Sequence, residues 1–152
     1  MIVVDANYFL RYILRAETDA DQPMFEAATA LFRQANDGDV TFITSEAVVA
    51  EVVFILSSKR HQNVPRVEVA GMIRPLIGLR GCALPHKPRV LRALDLWAGH
   101  ERISFVDALM AAYAIDLGAP LATFDRSLIQ MAELTIWHPE DGPGGRSRAT
   151  DE

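Results

Sequence analysis

The run Met1-Ile2-Val3-Val4 is apolar and ends on a carboxylate, Asp5, and three more apolar segments of the chain carry a single acid in the same way. Glu51 interrupts the helical stretch Ala47–Leu56, Asp107 interrupts Ile103–Ala111, and Asp125 follows the strand-like run Pro120–Phe124. A charge taken into an apolar interior without a partner is costly, or is removed by a pKa shift. Four such acids on separate hydrophobic segments are expected to converge on something cationic. A cluster of carboxylate oxygens is the ligand set of a hard divalent ion. The fold must therefore bring four distant segments to one face.

Turn and cap signals divide the rest of the chain. A short buried strand is expected at residues 2–5 and a helix at 7–15. A second helix runs over 21–35, with Asp21 as its cap, Pro23 in its first turn and Phe25, Ala28, Leu31 and Phe32 at helical spacing. Asn36-Asp37-Gly38-Asp39 reads as a turn. A strand at 40–43 leads to a helix opening at Thr44 or Ser45 and reaching about Arg60. Pro65 starts another helix, with Val67, Val69, Ala70, Ile73 and Ile77 as its apolar stripe and Pro75 set to kink or end it. A short strand at 82–84, helices at 88–100 and 104–117 with Gly118 as a stop, a strand at 120–124, a brief helix after Asp125 and a last strand at 134–137 complete the reading.

Strands alternating with helices imply an α/β class, here a single domain over 1–138 with a mainly parallel central sheet flanked by helices. Ligands of such folds bind beyond the carboxyl ends of the strands, where Asp5 and Asp125 stand. Residues 139–152 hold too little apolar content to pack and are expected to form a flexible tail.

At 152 residues, half of them hydrophobic, the chain can bury one core. No apolar run approaches the ~20 residues that span a bilayer, so no membrane partner is expected. Cys82 is the only cysteine, which rules out an intrachain disulfide and favours the cytoplasm. The net charge of −5 is unevenly spread. Residues 1–58 hold nine acidic and three basic side chains, 59–92 hold eight basic against Glu68 alone, and 93–152 hold ten acidic and four basic. The basic middle offers a phosphate-facing surface beside an acidic site, or else the solvated faces of two helices.

Each acid also has a purely structural use. Asp5 or Asn7 can cap the first helix, Asp125 the short one at 126–128, and Ser104-Phe105-Val106-Asp107 matches a capping box. Glu51 resists this, lying mid-helix beside a core-facing stripe. Asn7 and Thr123 are further candidates near the acids, with a cap and a β-branched strand residue as their ordinary uses. Glu46 suits its helix dipole, and Asp116 is expected to face solvent. His61, His86, His100 and His138 lack zinc-ligand spacing. Tyr8, Phe9, Tyr12 and Arg11 offer a partner-binding groove or core packing, and Trp97 and Trp137 read as core.

Ile2-Val3-Val4-Asp5-Ala6-Asn7, the stretch Ser45 to Val53, the stretch Ser104 to Ala114, and Leu121-Ala122-Thr123-Phe124-Asp125 resemble, in order and spacing, the acidic motifs of PIN-domain ribonucleases, above all VapC-type toxins of toxin–antitoxin pairs. The resemblance covers residues 1–137. It implies Mg²⁺ or Mn²⁺ held by Asp5, Glu51, Asp107 and Asp125, hydrolysis of RNA phosphodiesters, a homodimer, and a cognate antitoxin that covers the site. Divalent ions would polarise the phosphoryl oxygen, activate water and stabilise the leaving oxygen. Two rivals stand beside this reading. Phosphotransfer through an aspartate needs a later lysine, and no lysine follows Lys87. A non-catalytic PIN-like module binding RNA or protein would not need all four acids.

Overall fold

The computed structural model describes residues 1–142. Its elements are β1 (Ile2–Val3), α1 (Ala6–Leu14), α2 (Gln22–Asp37), β2 (Phe42–Ile43), α3 (Glu46–Ser57), α4 (Arg66–Ile77), β3 (Cys82–Ala83), α5 (Lys87–Gly99), α6 (Phe105–Leu117) and α7 (Arg126–Ile129). A 3₁₀ turn at Pro139–Asp141 continues the ordered chain past residue 138, into the segment expected to be a tail. The rest of that segment, 143–152, lies outside the described residues. No helix among the described residues is long and apolar enough to cross a membrane.

The α/β class with a parallel sheet is as expected. The three strands lie side by side in chain order, β1-β2-β3, every pair parallel, with Ile2 opposite Phe42 and Phe42 opposite Cys82. The ladders are shorter than the apolar runs that announced them. The runs at 120–124 and 134–137 do not form strands. They meet in one parallel bridge, Leu121 to Ile136, held by Leu121 N–H to Thr135 O at 2.8 Å and Trp137 N–H to Leu121 O at 2.9 Å.

By their contacts the residues fall into two compact units, one spanning Met1–Leu91 and the other beginning at Arg92. The first is built on the sheet, with α1 packed on α2 and on α3, and α3 on α4. Its centre is aromatic: Phe9, Phe32 and Phe42 stand with ring centroids 5.2–6.2 Å apart, and Tyr12 meets Phe32 at 5.1 Å. Phe42, on the middle strand, is fully buried. A glycine is required at Gly81, where a Cβ would collide with Val40 O and come within 2.7 Å of Ala35 O. That close approach lets Gly81 N–H reach Ala35 O while Gly81 O receives Phe42 N–H, binding the end of α2 to the sheet. In the second unit Trp97 packs edge-on to Phe105 at 6.2 Å, the core role expected of it.

Three local expectations change. Asp21 does stand at the start of α2, but its carboxylate makes no cap bond; it accepts from Thr18 Oγ1 and Arg11 Nη1, both at 2.8 Å. Of the kink or early end expected at Pro75, the early end is slight: α4 runs on to Ile77, two residues beyond, although the ring forfeits an N–H bond to the carbonyl of Gly71. Val67 leaves the apolar stripe and is 71% exposed, Leu76 taking its place inside.

Candidate functional site

Asp5 is set by the sheet. Val4 N–H bonds Ile43 O at 2.9 Å, extending the β1–β2 pairing to the residue before it. Thr44, buried at the end of β2, donates its hydroxyl to Val4 O at 3.0 Å and its N–H to Ala83 O at 3.2 Å. One threonine thus ties all three strand ends together immediately before the acid. The sequence marked Thr44 only as an alternative helix start, because a hydroxyl bond across forty residues leaves no local signature. Asp5 then caps α1, its Oδ1 accepting from Asn7 N–H at 3.0 Å. Asn7 is therefore the residue capped, not the cap.

Asp107 and Asp125 are held in the same manner. Ser104 Oγ accepts Asp107 N–H at 3.0 Å while Asp107 Oδ2 accepts Ser104 N–H at 2.9 Å, the capping box the sequence indicated. Asp125 Oδ1 accepts from Ser127 and Leu128 N–H at 2.8 and 3.1 Å, and its own N–H goes to the Thr123 hydroxyl at 3.0 Å. These three carboxylates stand where helix N-termini favour negative charge.

Burial is where the sequence misleads. Asp5, Glu51 and Asp125 are exposed and Asp107 is half-buried, so no penalty for a buried charge drives them together. Glu51 shows why. In α3 the buried positions are Val49, Val52, Val53 and Leu56, while Ala47, Glu51 and Phe54 share the exposed face. Its apolar neighbours turn inward and it turns out.

Among the described residues no group of three or more His, Cys, Asp or Glu side chains is arranged to hold a metal ion. Three of the acids are thus individually supported carboxylates and Glu51 stands alone on its helix face, so the convergence expected of the four rests on their chemistry rather than on an assembled cluster. That chemistry suits a hard cation. Each cap engages a single carboxylate oxygen, and Asp5 Oδ2, Asp107 Oδ1 and Asp125 Oδ2 accept no hydrogen bond among the described residues. None of the four, Glu51 included, pairs with a lysine, arginine or histidine there.

The other candidates settle into ordinary roles. Asp116 does not simply face solvent: it accepts from Arg92 Nε at 2.6 Å. His100 sets Nδ1 2.8 Å from Leu96 O and Nε2 3.5 Å from Glu133. Trp137 is half-buried, its Nε1–H reaching Gly142 O at 3.3 Å. Phe9 belongs to the core, whereas Tyr8 and Arg11 line a cleft of about 290 Å³ between α1 and α2 with Asn7, Pro23, Met24 and Ala27. Burial pushes the Cys82 thiol above its ordinary value, with the Lys87 ammonium opposing.

Residues 2–134 match the family model of the PIN domain. No curated protein matches the chain.

Proposed function

Because this chain belongs to the PIN-domain family, whose members are typically nucleases that use divalent metals, we propose that it is a Mg²⁺-dependent endoribonuclease and the toxin of a toxin–antitoxin pair. One observation supports the reading above others: acids stand at all four motif positions, the three aspartates oriented by backbone N–H groups, and none of the four is paired with a cation of the described residues. Asp5, Asp107 and Asp125 would hold Mg²⁺, or Mn²⁺, through the oxygens their caps leave open, and Glu51 through its exposed carboxylate. When bound, such an ion polarises a phosphoryl oxygen and lowers the pKa of a coordinated water. The caps do the protein's share. They fix one oxygen of each aspartate so that the other is aimed without loss of side-chain freedom on binding, and Thr44 holds the strand end from which Asp5 projects.

The cognate antitoxin would place a segment in the α1–α2 cleft, with a basic side chain reaching Asp5. Phe9 and its aromatic cluster are closed to such a segment, so Tyr8, Arg11 and Met24 form the wall. The chain would act as a homodimer in the cytoplasm.

The test is cleavage of an RNA oligonucleotide by the purified chain with Mg²⁺, with Mn²⁺ and with chelator, alongside Mn²⁺ binding followed by electron paramagnetic resonance. Metal-dependent cleavage with stoichiometric Mn²⁺ binding is expected. Binding of RNA without cleavage under any metal would overturn the nuclease reading in favour of a non-catalytic module.

A further inference from the structure

The structure distinguishes among the cations of the basic middle segment. Arg92 is paired with Asp116, Lys87 donates to Leu79 O at 3.4 Å, and Arg74 donates to Leu91 O at 3.1 Å. Lys59 and Arg60 are different: both are exposed, and neither side chain has a partner among the described residues. They follow the end of α3, next to an anomaly. Phe54 is 61% exposed although Val49, Val52, Val53 and Leu56 already fill the inward face of the helix. Its ring is steadied by His61, the two centroids 5.8 Å apart and the planes at 71°.

The segment carrying these groups is folded back on α3 by its own backbone. Ser58 N–H bonds Phe54 O, Gln62 N–H bonds Ile55 O, Val64 N–H bonds Leu56 O, and both His61 and Asn63 N–H bond Ser58 O. An exposed ring held against a segment that carries two unpaired cations matches what single-stranded nucleic acids require, a π-face for a base and positive charge for its phosphates. It suits no duplex, whose bases already stack on one another. Glu51 lies one helical turn before Phe54 on the same exposed face, about 4.5 Å along the axis at the α-helical rise.

We propose that Phe54, steadied by His61 on the same folded-back segment that carries Lys59 and Arg60, is a stacking platform for an unpaired base of RNA whose backbone passes Glu51. The identity of the ligand as substrate rests on the nuclease reading; the platform itself rests on the geometry above.

The probe is an unstructured RNA oligonucleotide carrying 2-aminopurine, titrated into the full chain without divalent ion, so that affinity and base stacking are read together. Phe54→Ala is expected to weaken binding roughly tenfold and abolish the quenching of the fluorescent base, the scale set by base–aromatic stacking. Phe54→Trp should preserve both. An oligonucleotide abasic at the probe position should bind the unaltered chain and Phe54→Ala alike. Replacing Lys59 and Arg60 together by Ala should flatten the slope of log affinity against log salt by about 1.4, at ~0.7 per phosphate contact on a single strand. Unchanged affinity and emission in Phe54→Ala would overturn the proposal, as would equal losses on base-bearing and abasic strands, or a duplex bound as tightly as the single strand. A fall from dimer to monomer in Phe54→Ala, seen by sedimentation, would assign the ring to an interface between copies and overturn it too. Cleavage of the same oligonucleotide by the unaltered chain with Mg²⁺ is scored separately. Its failure alongside the expected stacking results would sink the nuclease reading and leave the platform standing.

Discussion

Asp5 serves two ends with one carboxylate, and a conservative change separates them. Oδ1 receives Asn7 N–H to cap α1, and Oδ2, which accepts no hydrogen bond among the described residues, is the oxygen proposed for the cation. Asparagine caps about as well as aspartate, but an amide lacks the charge that holds a divalent ion. Asp5→Asn should therefore lose Mg²⁺-dependent cleavage and Mn²⁺ binding while its thermal unfolding stays within about 1 kcal/mol of the original, the loss of a charge at a helix N-terminus being worth no more. A mutant that still cleaves at the original rate would remove Asp5 from the site. Asp21 makes a different test. The Thr18 hydroxyl, and after it the Arg11 guanidinium, holds its carboxyl below the ordinary 3.8. A carboxyl acidified by folding contributes stability that is present above its unfolded pKa and is lost as pH falls through the lower folded one. Acid melts of Asp21→Asn should thus converge with those of the unaltered chain once pH drops below that range and separate above it. Parallel curves at every pH would show that the interactions with Thr18 and Arg11 carry no net weight.

At the scale of elements, the helix ends were legible, and the strands were legible in place for the first three but not in length. Ser45, Ser104 and Asp125 cap helices where the sequence put them, and Gly38 ends α2 in a left-handed conformation. A cap is a bond between residues two or three apart, so its signal is local. A ladder depends on a partner elsewhere, and runs of four or five apolar residues became ladders of two or a lone bridge. Three of the four acids were legible for the same local reason, Asp5 and Asp125 being caps and Asp107 closing the capping box on Ser104. The exposure of the four was not, because an apolar neighbourhood in sequence does not say which way a helix turns, and Glu51 with its neighbours Val52 and Val53 turned apart. Ser104→Ala tests how far a cap supports a site. Losing the hydroxyl should cost about 1 kcal/mol in denaturant melts and lower cleavage through kcat more than through KM, because Asp107 loses its orientation without losing its charge. Unaltered cleavage in a destabilised mutant would confine the capping box to stability.

For the whole molecule, the tests concern partners. Induction of the chain alone should arrest growth of its host. Co-expression with a small protein encoded beside it should restore growth, and the pair should purify as a complex without nuclease activity. Tyr8→Ala, which removes part of the cleft wall, should weaken that complex while leaving cleavage by the free chain intact. Harmless expression with no partner captured would end the toxin assignment and leave the family membership untouched.

The strands follow one another across the sheet in the order they are made, and each successive pairing joins residues forty positions apart, Ile2 with Phe42 and Phe42 with Cys82. The two crossovers therefore carry nearly the same loop-closure entropy, and neither must wait for the other. All three strands have been synthesised once Ala83 is added, with Thr44 already available to tie their ends. Two of the four acids exist by then; Asp107 and Asp125 do not. A nascent chain can complete its sheet while holding only half of its proposed ligands, so the proposed metal site stays inert until Asp125 has been added, more than forty residues after the last strand.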